Sequence, residues 1–299
     1  MARGTSRAWF IVPGALALLL IWTIVSRLSG ERSSSTYQGR GTAVVTLSAP
    51  KGGGKDAAPK LLERLAALGI DAQVREAEDD RILIALRRLA DPAEAIAAAA
   101  APDPLSFYVV DETAQQMPEA GPASSASSGP ERVHPWLTGT SRADLHAKVE
   151  SAGVPQGLTP LMECIPSPER GAPPLCAAWL GRATGLGARE VREVHLRADK
   201  RTEEPLVVLT LTEEGARAFE DVTRSAVGKM LAVVALGEVQ ARPRIQSAIQ
   251  DGSWTFSTRT GDTTRPVAVE RARRIAAASD LPRLPPLVVQ AVEEVGARK

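Results

Sequence analysis

Cys164 and Cys176 are the only cysteines in the 299-residue chain, with eleven residues between them. A pair cannot by itself build a four-ligand zinc site, and neither cysteine lies in a Cys-x-x-Cys. Outside the cytoplasm they could form one disulfide, worth about 2–4 kcal/mol by closing a short loop; the other reading is two buried thiols. His134, His146 and His195 stand apart, with no second histidine or cysteine at ligand spacing, so no metal is expected. Gly52-Gly53-Gly54-Lys55 invites a phosphate-loop reading. That motif needs a glycine at 49 and a Ser or Thr at 56, where this chain has Ala49 and Asp56. No Gly-x-Ser-x-Gly occurs, and the pairs Glu213-Glu214 and Glu293-Glu294 fall at expected helix or strand ends, where charge is usual. No catalytic residue and no cofactor is assigned. A hydrolase whose site is assembled from distant residues is the one enzymatic alternative.

The elements that would position such residues follow from composition and periodicity. Lys plus Arg number 36 and Asp plus Glu 35, interspersed along the chain, so no basic surface for nucleic acid is expected. The length allows two domains at about 100–200 residues each. Ala8–Ser26 (AWFIVPGALALLLIWTIVS) is an uncharged run of nineteen residues. As a helix it spans about 28 Å, close to the ~30 Å hydrocarbon core of a bilayer. Arg3 and Arg7 before it favour a cytoplasmic N-terminus, Trp9 and Trp22 suit the interfaces, and Arg27-Leu28 stand where a signal-peptide cleavage site would need small residues. A retained single-pass anchor over residues 1–30 is expected, with a polar tether at 31–40 and everything beyond it in the periplasm.

Folded structure is expected from Gly41. Val44–Leu47, Ile70–Val74, Arg81–Leu86 and Leu105–Val110 read as strands, and Ala57–Leu68 as an amphipathic helix stopped by Gly69. A second helix starts at Asp91-Pro92, with Asp91 as cap. The order β-α-β-β-α-β is that of a split βαβ, ferredoxin-like unit over residues 41–114. Gln115–Pro130 has almost nothing to bury and reads as a flexible linker, taken as residues 115–132. Between Trp136 and Trp179 prolines break all but a short helix, Arg142–Ala152. From Pro205 to Phe256 the pattern is legible again. Leu206–Leu211 is a strand, and Thr212 can cap a helix with Glu213 and Glu214 in its first turn. Ala216, Phe219, Val222 and Ala226 form that helix's apolar face, and Gly228 suits a left-handed position after it. Met230–Leu236 then turns at Gly237-Glu238 into Val239 and Gln240. Ala268–Ala278 and Leu287–Val292 read as a last helix and strand.

The stretch from Glu213 to Gly252 resembles the head of the first periplasmic domain of SecD, the membrane subunit that assists the bacterial Sec export channel. The residues that carry the resemblance are Glu213, Glu214, Gly215, Ala216, Phe219, Thr223, Gly228, Lys229, Leu231, Ala232, Val239, Pro243, Ile245, Ile249 and Gly252. Gly237 keeps the flexible turn position, although Leu236 stands where members of the family carry Asp. A second run, Leu68-Gly69, Val74, Arg81-Ile82, Ile84, Leu86, Asp91-Pro92, Ala95, Leu105 and Phe107, is similar to the base of that domain. The resemblance implies an α+β protein with an N-terminal membrane anchor, a ferredoxin-like base at 41–114, an α+β head at 133–262, and a return helix and strand at 263–299 that complete the base.

It also implies a membrane-anchored periplasmic binding module that assists protein export by contacting translocating, unfolded polypeptide or Sec translocon subunits. Its only other partner would be the bilayer, through one helix. Ion-coupled work depends on later membrane helices of that family, for which this sequence shows no apolar run. A structural or scaffolding envelope protein reusing the fold, with no export role, is the alternative.

Overall fold

The computed structural model describes residues 38–77, 79–89, 92–114, 134–167, 172–259 and 263–295. The expected anchor at Ala8–Ser26, the tether to residue 37, Asp91 and the linker at 115–132 lie outside them. No helix among the described residues is long and apolar enough to cross a membrane. The chain divides into two compact units, one formed by residues up to Ala100 together with those from Pro285, the other by Ala101–Leu284.

The first unit is a four-stranded sheet with two helices. Its strands are β1 (Gln38–Ser48), β2 (Ala72–Glu76), β3 (Arg81–Leu89) and β13 (Val288–Val295), and its helices are α1 (Gly54–Ala67) and α2 (Pro92–Ala100). The sheet order is β13-β1-β3-β2, with every neighbouring pair antiparallel. Period-two alternation places Ala43, Val45 and Leu47 of β1 beside Leu86, Ile84 and Ile82 of β3. Burial of that row against Leu61 and Leu65 of α1 and Ile96 of α2 forms the core. Arg64 is fully buried within it, and its Nη1 donates to Ala99 O at 3.1 Å, in the last turn of α2, where helix carbonyls lack intrahelical partners.

The fourth strand of this sheet corrects the sequence reading. Leu105–Val110, expected there, belongs to the second unit, and the place beside β1 is taken by Val288–Val295. Sequence proximity favoured the nearer segment, but Leu105, Phe107 and Val110 are all buried in the second unit's sheet. The base therefore ends at Ala100 instead of 114. The helix expected to complete it, α5 (Arg265–Asp280), lies in the second unit as well.

The second unit holds two sheets. The larger has the order β11 (Glu238–Ala241), β10 (Leu231–Ala235), β4 (Leu105–Val110), β7 (Leu175–Gly187), β5 (Leu137–Gly139), with β6 (Thr159–Ile165) also pairing β7. The smaller is β12 (Ser253–Ser257), β9 (Pro205–Leu211), β8 (Val191–Ala198). The strand, helix and hairpin read between 205 and 241 are all present, but β9 and β10 lie in different sheets. Helix α4 (Glu213–Ser225) follows β9, and α5 packs against β8, β9, β10 and β11. Helix α3 (Arg142–Ala152) packs on β5 and β7.

Candidate functional site

The long strand β7 organises this unit. Its second half pairs with β4, while its first half pairs with β5 on one edge and β6 on the other. Because side chains alternate across the sheet, the β6–β7 ribbon has two distinct faces. Leu161, Ala177 and Trp179 join Val110, Met230, Ala232, Val234 and Val239 in one apolar cluster. Met162, Cys176 and Ala178 form a second, smaller cluster with Leu145 and Val149 of α3, flanked by Trp136, Leu137 and Cys164. Cys164 and Cys176 are directly opposite in the β6–β7 register and are joined as a disulfide. The crosslink ties two strands at the edge of this smaller cluster.

Glu163, one residue before Cys164, is 1% exposed in an otherwise apolar strand. Its Oε2 accepts from Trp179 Nε1 at 3.0 Å and from Arg242 Nε at 2.9 Å. Its Oε1 lies 3.0 Å from Arg271 Nη2 of α5. The Arg242 guanidinium lies 3.6 Å from the centre of the Trp179 ring, a cation–π stack. Glu238 of β11 repeats the arrangement. Its Oε1 pairs with Arg142 of α3 and its Oε2 with Arg274 of α5, both at 2.9 Å, and Oε1 also accepts from Cys164 N at 3.3 Å. Each carboxylate thus carries two guanidiniums from different elements, which satisfies the rule that buried charge is paired. Burial pulls the Arg242 guanidinium below its ordinary range, while Glu163 pushes the other way; it stays cationic. Such a lattice ties α5, β6 and β11 together and reaches α3 through Arg142 alone, but offers no acid–base pair for catalysis.

Sequence reasoning missed these residues. Arg142, Glu163, Trp179, Glu238, Arg242, Arg271 and Arg274 are spread over more than a hundred positions and form no local motif. The one available signal is Glu163 itself, a charge inside the β-branched and apolar run of β6.

The residues singled out from the sequence have mostly backbone-shaping places. The Thr212 side chain accepts from Gly215 N, capping α4, and Glu213 and Glu214 are exposed in its first turn. A Cβ on Gly215 would lie 2.4 Å from Glu190 O, so only glycine allows this close approach. Phe219 is fully buried, with its ring edge-on to Phe107 at 5.0 Å and 5.9 Å from Trp254. The buried face runs through Gly215, Phe219 and Thr223. Val222, expected on it, is half-buried, because Thr223 takes the inner place. There Thr223 Oγ1 donates to Phe219 O and accepts from Ile249 N at 2.9 Å. Gly228 has φ +87° and donates to Ile245 O, Lys229 O accepts from Ile245 N, and Pro243 O accepts from Leu231 N. Gly252 has φ +62°, and its carbonyl accepts from Leu211 N. At the β10–β11 turn Leu236 and Gly237 both take positive φ, +52° and +77°. Leu236 stands in this strained position while its side chain is 2% exposed, so burial offsets the conformational cost.

Other candidates fall away on geometry. The amides of Gly52 and Gly54 point at the carboxylate of Asp80, at 2.8 and 3.3 Å, so the protein's own anion occupies the phosphate-loop position. His134, His146 and His195 are exposed, with His195 beside Glu193. Among the described residues no group of three or more potential ligands could hold a metal.

Residues 164–276 match the family model of the SecDF P1 head subdomain. The protein translocase subunit SecD of Treponema pallidum is 36% identical over 72 residues, 24% of this chain and 12% of that protein. SecDF of Thermus thermophilus is 39% identical over 93 residues, 31% of this chain and again 12% of the relative. This chain therefore aligns with only about an eighth of the length of each. A crystal structure of SecDF in its super-membrane-facing form gives a TM-score of 0.41 at 23% identity, covering 94% of this chain and 34% of that one. The matched region holds both cysteines of the disulfide, the smaller sheet, α4, the β10–β11 hairpin and most of α5. The chain is thus similar in part to a SecD periplasmic domain, the similarity lying in residues 164–276, which match the SecDF P1 head subdomain.

Proposed function

We propose that this chain assists protein export as a binding module, contacting translocating polypeptide or Sec translocon subunits through the unit Ala101–Leu284. The observation that carries this reading is the match of residues 164–276 to the P1 head subdomain, in relatives that are protein translocase subunits. In this reading Ala8–Ser26 is a single membrane anchor with a cytoplasmic N-terminus. Residues 38–100 with 285–295 are a ferredoxin-like base in the periplasm. The ion-coupled motor would lie in partner subunits, and the chain is not an enzyme. The charge lattice around Glu163 and Glu238 supports a holding role, since each of its guanidiniums is engaged by a carboxylate.

Photocrosslinking in cells tests the reading. A crosslinker at exposed Leu196 or Val227 should give adducts with a secreted protein arrested during export, or with Sec subunits. Adducts only with unrelated envelope proteins would favour a scaffold with no export role.

A further inference from the structure

Helix α3 buries the fewest residues of the second unit's three helices. Only Leu145 and Val149, one turn apart, are buried among its eleven residues. Beneath them lies the smaller apolar face of the β6–β7 ribbon: Met162, Cys176 and Ala178, with Trp136 and Leu137 at its rim. That face is distinct from the main cluster on the other side of the same strands. The helix is capped from within, by Ser141 Oγ accepting from Asp144 N and by Lys148 beside Asp144, and Lys148 Nζ also donates to Thr138 O of β5. At eleven residues it is marginal once off its seat, so lifting exposes its amides to exchange. At its N-terminus Arg142 reaches Glu238, which keeps Arg274 as a second counter-ion if Arg142 leaves. Lifting α3 therefore strands no buried charge, and it uncovers a ready-made apolar surface with a carboxylate at one end.

We propose that α3 is a lid occupying this surface, and that the occupant it gives way to is an unfolded polypeptide segment presenting aliphatic side chains and a basic residue. The chemistry of the occupant is that of α3 itself: two branched aliphatic side chains for the apolar face and one guanidinium for Glu238. Few buried apolar contacts place such an element at the low-stability end of local opening. The proposal rests on the export reading for the identity of the polypeptide, but not for the motion.

Hydrogen exchange on the full chain reads the motion, and binding of reduced, S-carboxymethylated lysozyme reads the occupant. Amides of residues 142–152 should exchange at least about tenfold faster than those of 213–225, without global unfolding. Arg142→Gln should open α3 further and tighten binding of the unfolded lysozyme several-fold. Gly139→Ala should do the same by another route, because its Cβ would meet Leu145 Cβ and N at 3.0 Å. Exchange of α3 in step with α4 overturns the lid, whatever the polypeptide does. Fast α3 exchange with no binding of unfolded lysozyme by the wild type or either variant overturns the occupant, and counts against the export reading as well. Binding that is unchanged when α3 opens overturns the surface alone and leaves the export reading standing.

Discussion

At the scale of single residues, the least expected feature is a glutamate in the core. Glu163 pairs with both Arg242 and Arg271, and all three side chains are largely buried. Removing one partner from such a cluster leaves charge uncompensated, and that usually costs about 3–5 kcal/mol. Glu163→Ala should lower the stability of the second unit by about that amount in denaturant titrations. Trp179 fluorescence is a local reporter, since its Nε1 loses the Oε2 acceptor. Phe219 is the apolar counterpart. Phe219→Ala should cost about 3–5 kcal/mol, because the residue is fully buried between Phe107 and Trp254. A loss below about 1 kcal/mol would contradict that burial. The importance of Phe219 could be read from helical spacing alone. Glu163 could not, because its partners come from three elements far apart in sequence.

At the scale of elements, the disulfide between β6 and β7 holds the ribbon whose two faces carry the lattice and the α3 seat. Replacing Cys164 and Cys176 by serine should lower stability by about 2–4 kcal/mol, read as a shift in the denaturation midpoint of the second unit. The same loss should follow from reduction. Helix α3 carries its own pH dependence. The Thr140 N–H and Lys148 hold the Asp144 carboxyl below its ordinary value. A lowered folded pKa gives stability that is full above the unfolded value, about 3.9, and is lost as pH falls through the folded one. Exchange of α3, corrected for intrinsic rates, should therefore accelerate at acid pH, and Asp144→Asn should already be fast at neutral pH. Local patterns made most elements legible: α3, α4 and the β10–β11 hairpin follow from caps, periodicity and turn residues. Which sheet each strand joined was not legible. Leu105–Val110 and Val288–Val295 both read as strands, and the choice between them as partner of β1 depends on pairing across almost the whole chain.

At the scale of the whole molecule, a SecD-like head of residues 164–276 sits within the unit Ala101–Leu284, between the two segments that build the other unit's sheet. The chain leaves the first unit after α2 and returns at Pro285 to supply β13. That insertion explains why the base looked complete by residue 114 when it was not. The central claim is that this molecule recognises polypeptide in its unfolded form. Broad, sequence-tolerant contacts of that kind correspond to micromolar or weaker binding, about −8 kcal/mol or less in magnitude. The most direct test is fluorescence anisotropy of one labelled secretory protein titrated with the full chain, once unfolded by reduction and alkylation and once native. The account predicts saturable binding of the unfolded form and none of the native form. Equal indifference to both, with the Cys164–Cys176 bond and the Trp179 environment intact, would contradict it.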